Sequence, residues 1–142
     1  RHTRFRNVTG VQTCALPISA RMVAYSTGSS GVYVKSLIDK FGVAEQMKGR
    51  VKETTLGVRV GQHLAKGEAD LGFQQMSELI HEAGITLVGP LPADIQNLNV
   101  YSSVVLAGAR EPDAAKAFQG FLTSSAAAQV FLKYGMDPVS RK

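Results

Sequence analysis

The sequence predicts an α/β fold in which a mostly parallel sheet is flanked by helices. Short apolar runs of strand length alternate along the chain with segments whose apolar residues recur every three to four positions. Glycine, proline or serine marks most of the junctions between the two kinds of segment, as turn chemistry requires. Strands that alternate with helices in this way are typical of parallel βαβ units.

The first such unit runs from an apolar strand at residues 22–25 into an amphipathic helix. Ser29 or Ser30 can cap the first turn of this helix, and Gly42 suits the position just after its end. The apolar residues of the helix have the spacing i, i+3, i+4, i+7 of a single face, and they are Val34, Leu37, Ile38 and Phe41.

Five further predicted segments continue the alternation as far as residue 88. Gly67 and Gly84 are expected to close the two helices among them, and Gly89-Pro90 ends the run. The segments are a strand at 51–55, a helix at 57–64, a strand at 69–73, a helix at 76–81 and a strand at 85–88.

The C-terminal part is predicted to hold one longer strand at residues 100–106 and two helices. Pro112 lies near the first turn of the first helix, where Asp113 is favourable at the positive end of the dipole. Ser124 or Ser125 caps the last helix, and Gly135 closes it.

The first eighteen residues resemble a translated sequencing adapter. Codons of a common adapter reproduce Val-Thr-Gly-Val-Gln-Thr-Cys-Ala-Leu-Pro-Ile of residues 8–18, and the same frame upstream gives the Arg-His-Thr-Arg of residues 1–4. Residues 1–19 are therefore expected to be non-native and disordered, and they are set aside from fold reasoning. The net charge of +5 and the single cysteine, Cys14, owe much to this segment, so neither basic-surface binding nor thiol chemistry is expected.

A polar loop between the first strand and the first helix is the feature best suited to binding. Ser26-Thr-Gly-Ser-Ser-Gly31 offers four hydroxyl groups, and its glycines let the backbone approach a ligand closely. A helix N-terminus adds unpaired amides and the positive end of a dipole, which together favour an oxyanion. The same residues are also common in an ordinary capped loop.

Two other loops are expected at the same sheet edge. Gly57 and Val58 start the next predicted helix, and Gln74-Gln75 ends the third strand. The carboxyl ends of parallel strands share one edge, which is where open α/β sheets bind ligands. A glutamine amide can orient an oxygen-rich ligand, although a surface glutamine pair is an equally simple interpretation.

Several function classes lack the residues that they need. His63 and His81 have no second histidine or cysteine at ligand spacing, so no metal site and no cofactor are expected. No carboxylate pair suits acid–base work, and Glu68 and Asp70 are expected to be solvated. Neither a basic stripe nor stacking aromatic residues indicate nucleic-acid binding.

Four motifs, in their order and spacing, resemble the molybdate-type solute-binding proteins of bacterial ABC importers. The resemblance spans residues 21–139. The motifs are Gly31-Val-Tyr-Val-Lys35, Gly67-Glu-Ala-Asp-Leu-Gly72, Asp113-Ala-Ala-Lys-Ala-Phe118 and the final helix from Ser125 to Gly135.

The resemblance implies a two-lobed type II periplasmic-binding-protein fold, with the ligand in the cleft between the lobes. Residues 20–98 would form the second ligand-binding lobe. Residues 99–142 would supply a crossover strand and C-terminal helices that pack toward a first lobe outside this sequence. The signal peptide would likewise lie outside it, and the complete protein would be a periplasmic or lipid-anchored monomer.

Neutral donors hold the oxyanion in this family, and the resemblance assigns them by motif. Ser30 is the hydroxyl donor, Gly57 or Val58 supplies a helix-start amide, and Gln75 takes the place of the tyrosine of molybdate binders. That replacement leaves the identity of the oxyanion open. The full set of expected ligand-binding residues is Ser29, Ser30, Gly31, Gly57, Val58 and Gln75.

The resemblance implies a binding protein that delivers a small oxyanion to an ABC permease, and no enzymatic activity is expected because the sequence offers no nucleophile, base or metal cluster. An alternative is the effector-binding domain of a cytosolic transcriptional regulator, because the same two-lobed fold serves behind helix-turn-helix domains. An enzyme of the same fold is a third class, and it would need a catalytic group from the lobe outside this sequence. Fold alone does not decide between these hypotheses.

Overall fold

The computed structural model describes residues 17–55 and 57–138. Most of the adapter-like segment, and the disorder predicted for it, lies outside the described residues. The chain divides into two compact units, one ending at Leu98 and one starting at Asn99.

In the described part of the first unit, three parallel strands form a sheet, which confirms the predicted α/β class. β1 (Val23–Tyr25) lies between β2 (Val51–Glu53) and β3 (Leu71–Phe73). Val23 pairs with Val51 on one side and with Leu71 on the other. All three residues of β1 are buried, because the central strand of a parallel sheet is covered on both faces.

Helices cover both faces of this sheet. On one face Val60 and Leu64 lie against Gly72, and Val60 forms a buried cluster with Ala24 and Ala69. On the other face Val34, Leu37, Met47 and Phe73 line a small apolar cavity. The helices are α1 (Ser29–Lys40), α2 (Ala44–Met47), α3 (Val60–Ala65) and α4 (Met76–Leu79).

The second unit holds two helices whose ends follow the predicted capping chemistry. α5 (Pro112–Leu122) begins with its proline, and α6 (Ser125–Lys133) follows Ser124. The Ser124 hydroxyl oxygen accepts a hydrogen bond from the Ala127 amide at 3.2 Å, as an N-cap residue does. Among the described helices, none is both long and apolar enough to cross a membrane.

Two predicted strands are wrong. Residues 85–88 and 100–106 have no strand geometry and pair with no neighbouring strand in the described part of the chain. Val88 is 50% exposed and Val104 is 82% exposed. Apolar, β-branched runs satisfy the local pattern, but a strand forms only where a second backbone is available for hydrogen bonding.

Two helix starts also differ from the prediction. Gly28, not Ser29 or Ser30, is the N-cap residue of α1, and no side chain caps that end. α3 begins at Val60, three residues later than expected, because Gly57 adopts a left-handed φ of 83° in a turn that precedes the helix.

A charged cluster connects α3 to the sheet on the side away from the strands' carboxyl ends. Glu68 accepts hydrogen bonds from Lys52 Nζ at 2.6 Å and from His63 Nδ1 at 2.5 Å, so it is not merely solvated as predicted. Asp70 likewise accepts from the amide and the guanidinium of Arg21. The hydrogen bond from Lys52, and then that from His63, lower the pKa of the Glu68 carboxyl from 4.5 to about 2.

The pH dependence of unfolding should report this cluster. A carboxyl whose folded pKa is depressed stabilises the fold above its unfolded pKa near 4.5, and that stabilisation is lost as the pH falls toward 2. Thermal unfolding should therefore show the wild type more stable than Glu68→Gln above pH 4.5, with the difference shrinking toward pH 2. Glu45→Gln is the control, because the Glu45 side chain is 88% exposed. A difference that is constant with pH would contradict the prediction.

Candidate functional site

The carboxyl ends of the three strands bring three polar loops to one edge of the sheet. Ser26 follows β1, Thr54 follows β2 and Gln74 follows β3. The strands are adjacent and parallel, so residues that are far apart in sequence lie at this edge together. The loop after the central strand therefore lies between the other two.

The first turn of α1 offers amides to a ligand. Ser29 and Ser30 are the first two residues of the helix, and amides in such positions have no carbonyl partner within the helix. The next two amides, of Gly31 and Val32, donate to the Gly28 carbonyl at 3.0 and 3.1 Å. Among residues 17–55 and 57–138, the amides of Ser29 and Ser30 donate a hydrogen bond to no protein acceptor.

Two serine hydroxyls meet beside these amides. Ser26 Oγ lies 2.9 Å from Ser30 Oγ, and either oxygen can be the donor. The ligand-binding residues expected in this loop were Ser29, Ser30 and Gly31, and Ser26 was expected only as one of the loop's four hydroxyl residues. The signal was present, because Ser26 directly follows a strand and lies four residues before Ser30.

Gly31 is required by the close approach of the loop to the helix. A Cβ atom placed on Gly31 would lie 1.5 Å from the backbone oxygen of Ser26 and 2.6 Å from its carbonyl carbon. No side chain larger than hydrogen fits there. The contact holds the backbone of Ser26 against the first turn of α1, which is what brings the two hydroxyls together.

The second predicted donor loop uses its amides within the protein. The Val58 amide donates to the Thr55 carbonyl at 3.0 Å, in the turn that contains Gly57. The first amide of α3, that of Val60, donates to Gln74 Oε1 at 2.8 Å. Gly57 and Val58 were expected to offer a helix-start amide to the ligand. They lie before α3, however, and the Val58 amide already donates to a backbone carbonyl.

The two glutamines after β3 have different roles. Gln74 accepts from Val60 and donates through Nε2 to Glu78 Oε2, so it holds the starts of α3 and α4 together. Gln75 is half-buried and is the N-cap residue of α4. Gln75 lies at the predicted edge of the sheet, as the sequence analysis expects.

This arrangement is suited to a small anion. Hydroxyls and unpaired amides at a helix N-terminus stabilise negative charge without a formal positive charge. Within the described ranges, no group of three histidine, cysteine or acidic residues is placed to hold a metal ion.

Comparison with known proteins supports a binding role. Residues 6–137 match the family model described as bacterial extracellular solute-binding protein. The chain belongs to this family. The matched range begins inside the adapter-like segment, whose origin stays a prediction. Membership confirms the solute-binding class that the resemblance implied, and it does not specify molybdate.

One curated relative of this chain has the name of an enzyme. Aconitate isomerase from Pseudomonas sp. is 36% identical to this chain over 121 residues, which are 84% of this chain and 46% of the relative. The chain thus spans about half the length of that relative. The prediction that the chain has no enzymatic function is wrong, because this relative carries the name of an enzyme.

Substitution of Gly31 tests the geometry of the α1 loop. Gly31→Ala should lower the free energy of unfolding by about 3 kcal/mol, because the clash is with backbone atoms that cannot rotate away. Chemical denaturation of the intact protein measures the change. Gly120→Ala is the matched control, since a Cβ at that helical position meets nothing within 4 Å. Equal stability of the two variants would contradict the contact.

Proposed function

We propose that this chain provides an anion-binding half of a solute-binding-family protein that acts on aconitate or a closely similar tricarboxylate. The observation that carries the proposal is the start of α1, where the amides of Ser29 and Ser30 adjoin the Ser26–Ser30 hydroxyl pair. The name of the relative supplies the substrate, and the donor set of this chain fits it.

This set of donors suits a carboxylate as well as it suits a tetrahedral oxyanion. Each of the two carboxylate oxygens accepts hydrogen bonds from amides and hydroxyls, and the helix dipole favours their charge. Aconitate carries three carboxylates, so we assign one of them to the start of α1. The other two would contact Gln75 at the same edge or the remaining part of the protein.

Isomerisation of aconitate needs a proton to move but no atom to be gained or lost. A base removes a proton from the methylene carbon, the double bond shifts within the allyl unit, and a proton returns at the other end. Among the described residues no carboxylate is hydrogen bonded to the Ser26–Ser30 pair. We therefore assign this chain the binding of substrate carboxylates and place the base elsewhere in the protein.

Uptake of a solute is the second candidate function. The family description, bacterial extracellular solute-binding protein, favours it and favours a location outside the cytoplasm. In that case the same donors would hold an oxyanion or a carboxylate, and the protein would deliver it to an ABC permease. The two candidates differ in whether the bound molecule is changed.

We also propose that residues 99–138 pack against the remaining part of the protein. Phe118 and Phe121 stack with their ring centroids 6.5 Å apart, yet they are 61% and 54% exposed. Large apolar side chains grouped at a surface indicate an interface. The relative is about twice as long as the matched region, which leaves enough chain to cover them.

The substrate proposal is tested by adding trans-aconitate to the intact protein and measuring cis-aconitate by chromatography. Ser30→Ala should weaken binding about tenfold or more, because it removes a hydrogen bond to a charged group. Ser36→Ala on the same helix is the control, since its hydroxyl donates to the Tyr33 carbonyl. Binding without conversion would support the uptake candidate, and binding of neither isomer would overturn the choice of aconitate.

The packing proposal predicts a stability effect from an exposed position. Phe118→Ala should lower the free energy of unfolding of the intact protein by about 3 kcal/mol, the usual cost at a buried aromatic site. Denaturant titration measures it, with Lys116→Ala on the same helix as the control. A loss no larger than about 0.5 kcal/mol, as expected for a free surface, would contradict the proposal.

A further inference from the structure

Thr54 carries a buried hydroxyl that the fold does not use. The residue is 1% exposed, and its Oγ1 has no hydrogen-bond partner among residues 17–55 and 57–138. A buried donor without a partner destabilises a protein, and one that persists needs a physical reason. A valine of nearly the same shape would avoid the cost.

Thr54 lies beside the hydroxyl pair at the start of α1. The Thr54 amide donates to the Tyr25 carbonyl at 2.9 Å, which extends the β1–β2 pairing by one residue. Ala24 pairs with Lys52, so two residues further on Ser26 stands opposite Thr54. Side chains in register on parallel strands project to the same face of a sheet, and the two hydroxyls are therefore neighbours.

A hydroxyl can accept a hydrogen bond while it donates one, so hydroxyls form chains. In such a chain an anion accepts from the nearest hydroxyl and aligns those behind it, which strengthens each bond. The Ser26–Ser30 pair is two members of such a chain, and Ser30 belongs to the first turn of α1. The buried Thr54 hydroxyl is in place to be the third.

We propose that Thr54 is a positioning residue of this site, whose hydroxyl donates to Ser26 when an anion is bound. Ser26 then donates to Ser30, and Ser30 donates to the anion. This inference rests on the proposed anion site and adds a residue that neither motif nor resemblance indicates.

The test measures affinity and stability of the intact protein together, with cis-aconitate, trans-aconitate and molybdate as probes. In the Thr54→Val variant, the affinity for whichever of these anions the wild type binds should fall about threefold to fivefold. The unfolding midpoint of this variant should be unchanged or higher, because a methyl group replaces an unsatisfied hydroxyl. Thr54→Ser should retain affinity within twofold, and Thr55→Val, at the exposed neighbour, should bind as the wild type does.

A double variant separates positioning from a general structural role. Because Thr54 acts through Ser26, Thr54→Val should add no further loss of affinity to Ser26→Ala. Wild-type affinity in Thr54→Val, a full additional loss in the double variant, or a loss of affinity matched by a loss of stability would each overturn the inference.

The same panel distinguishes this inference from the proposed function. Binding of molybdate but not aconitate would overturn the aconitate proposal, and the Thr54 comparison would then be made with molybdate. Binding of none of the three anions by the wild type would overturn the anion site and the role of Thr54 with it.

Discussion

The contact between the Ser26 backbone and Gly31 is the constraint on which the site depends. Because Gly31 has no side chain, the first turn of α1 can lie directly against the Ser26 backbone at the end of the central strand. The start of the longest helix of the first unit is thereby held over the carboxyl end of the most buried strand. The hydroxyl pair and the unpaired amides take their positions from this junction, while Thr54 is positioned by the pairing of β2 with β1.

The three loops at the sheet edge use their backbone amides differently. After β2, the Val58 amide is bound within a turn, and the Val60 amide is bound by Gln74. In the described part of this edge, the first turn of α1 combines helix-start amides that lack a protein acceptor with a hydrogen-bonded pair of hydroxyls. The two flanking loops thus support the site by fixing the geometry around it, while the central loop can contact a ligand.

The proposed binding role and the stability of the fold make different demands at this edge. Side chains on the faces of the sheet, such as Val60 and Leu64, are packed for stability. Thr54, which is as deeply buried as Val60, holds a polar atom that packing alone does not explain. Local departures of this kind are expected where a protein binds or transforms a ligand, because function is retained there at some cost in stability.

The sequence by itself determined the features that depend on neighbours within one turn or strand. Apolar period predicted α1, Pro112 predicted the start of α5, a serine cap and Gly135 predicted the two ends of α6, and alternation predicted a parallel sheet. It also predicted that Ser30 and Gln75 would come to one sheet edge. Each of these follows from local dihedral preferences or from the topology of βαβ units.

Only the tertiary structure decided which of the predicted strands form and which of the predicted backbone amides remain without an acceptor among the described residues. Residues 100–106 have the composition of a strand but lack a backbone to pair with in the described region. The Val58 amide was expected to donate to a ligand, but it donates to the Thr55 carbonyl instead. The isolation of the Thr54 hydroxyl depends on packing between β1 and β2, which are distant in sequence. The meeting of Ser26 with Ser30 depends on the close approach of the Ser26 backbone to Gly31.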